Sequence, residues 1–133
     1  MISDNDVTEI TQAFVQIANE EGKLTHIVEQ YRSRSLAIRI LGTHIRTGFI
    51  IKEGKIQMLN ELDRPTITVT MDKITYWDVI NSTDAKLARA KIYTAVFTEE
   101  GITMDPPPGT QGGALHLQNV MAVFSQLSQI VMG

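Results

Sequence analysis

The 133-residue sequence contains no cysteine. Disulfides, thiolate metal sites, a cysteine nucleophile and iron–sulfur clusters are therefore excluded. Formal charge is missing from one end: the 28 residues from Pro106 to Gly133 hold no Asp, Glu, Lys or Arg. That is unusual for a terminus that faces water. Long hydrophobic runs are also lacking, since a membrane-spanning helix needs about 20 mainly apolar residues and the charge-free tail is broken by Gln, Asn and Ser. The opening MISDNDVTEI has acids where a signal peptide carries bases, and the final VMG is not a peroxisomal address. A reducing cytoplasm is the expected compartment.

Catalytic signatures are absent too. There is no GxSxG, P-loop, GxGxxG or HExxH spacing. His26, His44 and His116 lie too far apart for a local metal motif. The adjacent pairs Glu20-Glu21 and Glu99-Glu100 point in different directions on a helix and read as solvated helix ends. The sequence thus predicts no catalytic residue, no metal and no cofactor: the protein is not expected to be an enzyme.

What is present describes one folded domain spanning residues 1–133. Hydrophobic residues make up 43% and charged residues 20%, far from the composition of a disordered chain. A chain of this length buries roughly two thirds of the surface that its unfolded form exposes. The net charge of −3 gives no overall case for nucleic acid, but the charge is unevenly spread. Residues 1–22 hold five acids and no base, whereas 23–55 hold seven bases (Lys23, Arg32, Arg34, Arg39, Arg46, Lys52, Lys55) against Glu29 and Glu53.

Ser3, Asp4 and Asp6 are N-cap candidates for a first helix whose apolar residues Val7, Ile10, Phe14 and Ile17, with Ala13 and Ala18, span about 140° of its circumference. Gly22 ends it. Leu24, Ile27, Val28 and Tyr31 suggest a second, short helix. From Arg34 the period becomes two: Leu36, Ile38 and Ile40 share one face, as do Ile45, Thr47, Phe49 and Ile51. KEGK turns the chain into IQML, giving an antiparallel meander. TITVTM alternates without error, with Ile67, Val69 and Met71 inward. Asp72 is placed to cap a short helix through Trp77 and Ile80. Ser82, Thr83 or Asp84 can cap the next, through Leu87, Ala88, Ile92, Ala95 and Val96. GITM returns to a brief strand, the segment from Pro106 to Gly113 reads as a hinge or spacer, and a last helix runs from about Gly113 to the end.

On a helical wheel Leu117, Val120, Met121, Val123, Phe124, Leu127, Ile130, Val131 and Met132 spread over about 200°, with Gln118, Asn119, Ser125, Gln126 and Gln129 opposite. One flat sheet cannot cover so broad an arc. Each fully buried Leu, Ile, Phe or Met contributes roughly 1.5 to 3 kcal/mol, so leaving three of them wet would cost several kcal/mol. The arc therefore requires a further partner: another helix, a second copy of the chain, or an apolar ligand. An interfacial helix normally carries Lys or Arg on its polar face, and this one has neither.

The order of elements, together with LAIRILG, GFIIKEGKIQML, TITVTMDKITYWDVIN and GITMD, resembles the sterol carrier protein type 2 family of lipid-binding domains from about residue 5 to the end. Two features depart from the family pattern. DPPPGTQGG intervenes before the last helix, and the second-strand aromatic, commonly tryptophan, is Phe49. The resemblance implies an α+β fold: a mostly antiparallel sheet of about five strands, covered on one face by helices, with an apolar tunnel between the layers. It also implies a fatty acyl chain, sterol or similar lipid in that tunnel, lined by the C-terminal helix, for binding and transfer. The implied lining is Phe49, Ile51, Trp77, Ile80, Leu87, Ile92, Val120, Met121, Phe124 and Leu127.

Two other readings stay open. The last helix can pack across a two-fold axis as a ligand-free homodimer module. Alternatively, Arg39 and Arg46, opposite the apolar rows of their strands, can present a positive sheet face to RNA or to an anionic membrane surface. Nucleic acid is not an expected partner, because only Tyr31 and Phe49 lie in that stretch as stacking platforms.

Overall fold

A computed structural model describes residues 3–41, 47–60, 62–110 and 112–132. The first helix, α1, spans Asp4–Glu21. Ser3 opens it with a capping box: its hydroxyl accepts from the Asp6 N–H, and the Asp6 carboxylate accepts from the Ser3 N–H, both at 3.1 Å. These bonds satisfy two donors that a helix start leaves orphaned. Gly22 closes it at φ +67°, a left-handed cap that favours glycine, and its N–H bonds to the Ala18 carbonyl. The stripe that α1 buries runs Val7, Thr11, Phe14 and Ala18, so Thr11 takes a core position while Ala13 stays exposed. A short α2 (Thr25–Val28) and a single 3₁₀ turn (Glu29–Tyr31) bury Ile27, Val28 and Tyr31.

Five strands follow: β1 (Leu36–Leu41), β2 (Gly48–Lys52), β3 (Lys55–Met58), β4 (Ile67–Asp72) and β5 (Ile102–Asp105). Their order across the sheet is β3-β2-β1-β4-β5. The meander β1-β2-β3 is antiparallel as the turn at Gly54 predicts, and β5 pairs antiparallel with β4. Only β1 and β4 run parallel, setting Leu36 beside Ile67, Ile38 beside Val69 and Ile40 beside Met71. The entrances of these central strands are tied together: the Ser35 N–H donates to the Thr66 hydroxyl oxygen (3.1 Å) and the Thr66 N–H to that of Ser35 (3.0 Å). Gly48 is required where β2 meets β1. At φ +140° a Cβ there would stand 2.2 Å from the Ile38 carbonyl oxygen. The expectations for His44, Ile45 and Arg46 lie outside the described residues.

Between β4 and β5 come α3 (Lys73–Ile80), capped by Asp72, and α4 (Ala85–Thr98), capped by Asp84. The chain ends in α5 (Gly113–Met132). Alternation puts Leu36, Ile38, Ile40, Phe49, Ile51, Ile56, Ile67, Val69, Met71, Ile102 and Met104 into one cluster with the buried side chains of the helices. The opposite sheet face holds a small separate cluster of Ala37, Ile50 and Leu59. The fold is α+β, with its main core between one face of the sheet and the helices.

Candidate functional site

The broad apolar arc of α5 has partners within its own chain. Leu117, Val120, Val123, Phe124 and Leu127 are buried in the main core, whereas Met121, Ala122, Ile130 and Val131 pack against its edge and are half-buried. The helix packs against α4, α3 and α1, and its Phe124 reaches Phe49 of β2 in the sheet. Part of its polar side is covered too. Asn119, Ser125 and Ser128 are buried, not solvated, because α5 is enclosed on more than its apolar flank.

Four rings form a chain across this interior. Phe14 of α1 meets Phe49 of β2 (centroids 5.1 Å), Phe49 meets Phe124 of α5 (6.3 Å), and Phe124 meets Tyr76 of α3 edge-on (6.1 Å, 84°). The Tyr76 hydroxyl would be costly in that setting without a partner. Thr11 supplies one at 3.2 Å; since the Thr11 hydroxyl proton is given to the Val7 carbonyl (2.7 Å), Tyr76 donates. Burial pushes the Tyr76 phenol up to about 12.

At the N-terminal end of α5 the core becomes polar. His116 and Asn119, one turn apart, meet the buried Tyr31: Tyr31 Oη to His116 Nδ1 is 2.8 Å, and Asn119 Nδ2 donates to Tyr31 Oη at 3.0 Å and to Gln30 Oε1 at 3.2 Å. Tyr31 is fully buried and its hydroxyl proton has no acceptor but His116 Nδ1 among the described residues, so it goes there, which leaves the imidazole neutral with its proton on Nε2. Burial, and secondarily the Arg34 guanidinium, hold the His116 pKa below its ordinary value, consistent with that assignment. Burial raises the Tyr31 phenol. Arg34 itself lies over the Tyr31 ring, 5.7 Å from its centroid.

Of the ten residues that the sequence nominates as lining, Phe49, Ile51, Ile80, Ile92, Val120, Phe124 and Leu127 fall together in the main core, and Met121 packs on its edge. Trp77 and Leu87 do not join them. They lie on the outer sides of α3 and α4, 41% and 39% exposed. Leu87 instead lines a surface groove of about 400 Å³ with Thr75, Val79, Ala90, Lys91 and Thr94. The space between sheet and helices is occupied by the side chains just named. Phe14, Tyr76, Thr11, Tyr31, His116 and Asn119 belong to the same interior and are not among the nominated residues. Thr11, four residues after Val7 and three before Phe14, and the i, i+3 pair His116 and Asn119 were the available signals. Among the described residues no helix is long and apolar enough to cross a membrane, and no three His, Asp or Glu residues group as metal ligands.

No protein-family model matches the sequence, and no curated protein does. Solved structures do match in shape. UbiJ-SCP2, a ubiquinone synthesis protein, superposes with a TM-score of 0.55 at 11% identity, over 91% of this chain and 94% of that one. The solution structure of sterol carrier protein domain 2 of Helicoverpa armigera gives 0.49 at 19% identity, over 92% and 87% of the two chains. The architecture is that of the sterol carrier protein 2 fold.

Proposed function

We propose that this protein is a non-enzymatic carrier of one apolar ligand, a fatty acyl chain, sterol or similar lipid, received between the sheet and α5 and passed on from there. The observation that carries this reading is how α5 is held. It has no charged residue, so no side-chain ion pair anchors it. Its hydrogen bonds to other elements, among the described residues, come from His116 and Asn119 at its start. Further along, Ser125 and Ser128 donate to the helix's own carbonyls, of Ala122 and Ser125. From Val120 onward its attachment is apolar contact, which is non-directional and which an alkyl chain can replace at little loss. The polar start then acts as a fixed end about which the rest of the helix yields. Likeness of fold to a ubiquinone synthesis protein supports handling of a lipophilic molecule.

Under this reading the lining is Phe49, Ile51, Ile80, Ile92, Val120, Met121, Phe124 and Leu127, with Phe14 and Tyr76 added from the ring chain. Met121 and Met71 are flexible enough to reshape around a guest. A homodimer formed through the same row of α5 would first have to uncover Val120, Val123, Phe124 and Leu127, which are fully buried within the monomer. Native mass spectrometry and organic extraction of the purified protein test the proposal: a co-purifying apolar guest and saturable uptake of a fluorescent fatty acid are expected. Absence of both a co-purifying guest and fatty-acid uptake would overturn it.

A further inference from the structure

The basic stretch of the sequence acquires a location in the fold that the apolar interior does not use. Arg32, Ser33, Arg34 and Ser35 precede β1, Lys52 and Glu53 lie at the β2–β3 turn, and Arg64 and Thr66 precede β4; these eight residues line one pocket of about 260 Å³. Three separate chain segments thus bring four cations together against one lining acid. The reciprocal Ser35 and Thr66 bonds hold two of the segments in register. The third is tied in by the Glu53 N–H, which donates to the Tyr31 carbonyl at 3.2 Å.

The four cations are not equally committed. Arg32 is taken up by Glu29, one guanidinium on one carboxylate, and Lys52 pairs with Asp63. Arg34 donates its Nε–H to the Gln30 carbonyl and lies over the Tyr31 ring, and its terminal nitrogens bond to no described residue. Arg64 makes no hydrogen bond or ion pair with any described residue. The hydroxyl oxygens of Ser35 and Thr66 accept backbone N–H groups, so their protons remain available. Seven of the eight lining side chains are donors, and the uncommitted ones face a shared space.

We propose that this pocket binds a phosphate group. A donor-rich wall with guanidinium forks suits a multiply charged oxyanion, which accepts several charge-assisted hydrogen bonds at once. The size fits a phosphate or diphosphate and is small for a whole nucleotide, whose base would also lack a stacking ring: Tyr31 is fully buried, under Arg34. Tyr31 links the pocket to the interior, since its ring carries Arg34 and its hydroxyl meets His116 and Asn119 on α5. A phosphate bound there is placed beside the fixed end of the helix that covers the apolar layer. Phosphate recognition does not depend on the proposed cargo. Only the identity of the phosphate as the headgroup of that cargo rests on the lipid-carrier reading.

The test is calorimetric titration of the full chain with inorganic pyrophosphate, methyl phosphate and dodecyl phosphate, the last kept below its micelle concentration. Binding of pyrophosphate that weakens with added salt is expected. Arg64→Gln, at an exposed position with no partner among the described residues, should weaken it roughly tenfold or more, as loss of one charge-assisted bond does, and Arg34→Gln with Arg64→Gln further still. Thermal melts identify any variant that loses its fold, and the single Arg64 variant stands if the double does not. Dodecyl phosphate binding much tighter than methyl phosphate would assign the phosphate to a lipid headgroup; equal binding would assign the pocket to free phosphate and leave the lipid question to fatty-acid uptake. Absence of binding by all three phosphates, or binding that Arg64→Gln leaves unchanged, overturns the proposal.

Discussion

At its start α5 is held by directional hydrogen bonds between its His116 and Asn119 and the side chains of Tyr31 and Gln30, whereas from Val120 onward it is held by apolar contact with the rings and the sheet. The two regions belong to one helix but respond to different perturbations. Directional bonds fix a register and fail when one partner is removed, because the groups left behind are buried and unpaired. Apolar contacts tolerate substitution of one apolar surface by another and fail when volume is lost. A helix with one fixed end and one exchangeable flank is suited to cover a guest without leaving the domain.

The largest expected effect lies in the apolar region. Phe124 contacts both Phe49 and Tyr76, so Phe124→Ala should destabilise by about 3 to 5 kcal/mol, read by chemical denaturation. A loss below about 1 kcal/mol would show that the ring chain does not bear on stability. Next comes the polar end. Tyr31→Phe removes the oxygen that serves both His116 and Asn119, and should cost about 1 to 3 kcal/mol while leaving fatty-acid uptake nearly intact. If Tyr31→Phe abolished uptake while the fold survived, the division of labour along the helix would be wrong.

A pH titration sharpens the same contrast. The His116 pKa is lowered in the folded protein, so the unfolded chain binds the extra proton first. This group leaves stability undiminished above its ordinary pKa of about 6.5, and removes stability as pH falls from there toward the depressed folded value. His116→Asn should flatten that limb of the stability curve, whereas Met121→Ala should not. The smallest effect is at Met121 itself, half-buried on the flank: Met121→Ala should change stability by less than the roughly 2 to 5 kcal/mol of a fully buried methionine, yet alter the chain-length preference of the bound ligand.

Much of this architecture was legible in the sequence because local signals agreed with one another. Ser3 and Gly22 bracket α1, Asp72 and Asp84 cap the two middle helices, and the alternation of Ile67, Val69 and Met71 set the inward face of β4. Two things were not legible. The parallel pairing of β1 with β4 is a long-range choice, and neither strand carries a local mark of it. The breadth of the α5 arc was readable, but not what fills it: α3 and α4 lean on its flank, a packing that the spacing of apolar residues cannot distinguish from a ligand or a second copy. Trp77 and Leu87 show the limit of pattern reading. Each stands near buried neighbours in sequence, Tyr76 and Ala88, while its own side chain turns outward. Thr11 and His116 show the converse, polar residues taken inside because Tyr76 and Tyr31 wait there with hydroxyls to satisfy.

Hydrogen exchange along α5, with and without a saturating fatty acid, measures the proposed exchangeability of its apolar stretch. The account predicts slow exchange at 116–119 in both states, faster exchange from 120 onward in the free protein, and marked slowing of that second stretch alone on ligand addition. Uniformly slow exchange over the whole helix, unchanged by ligand, would contradict it.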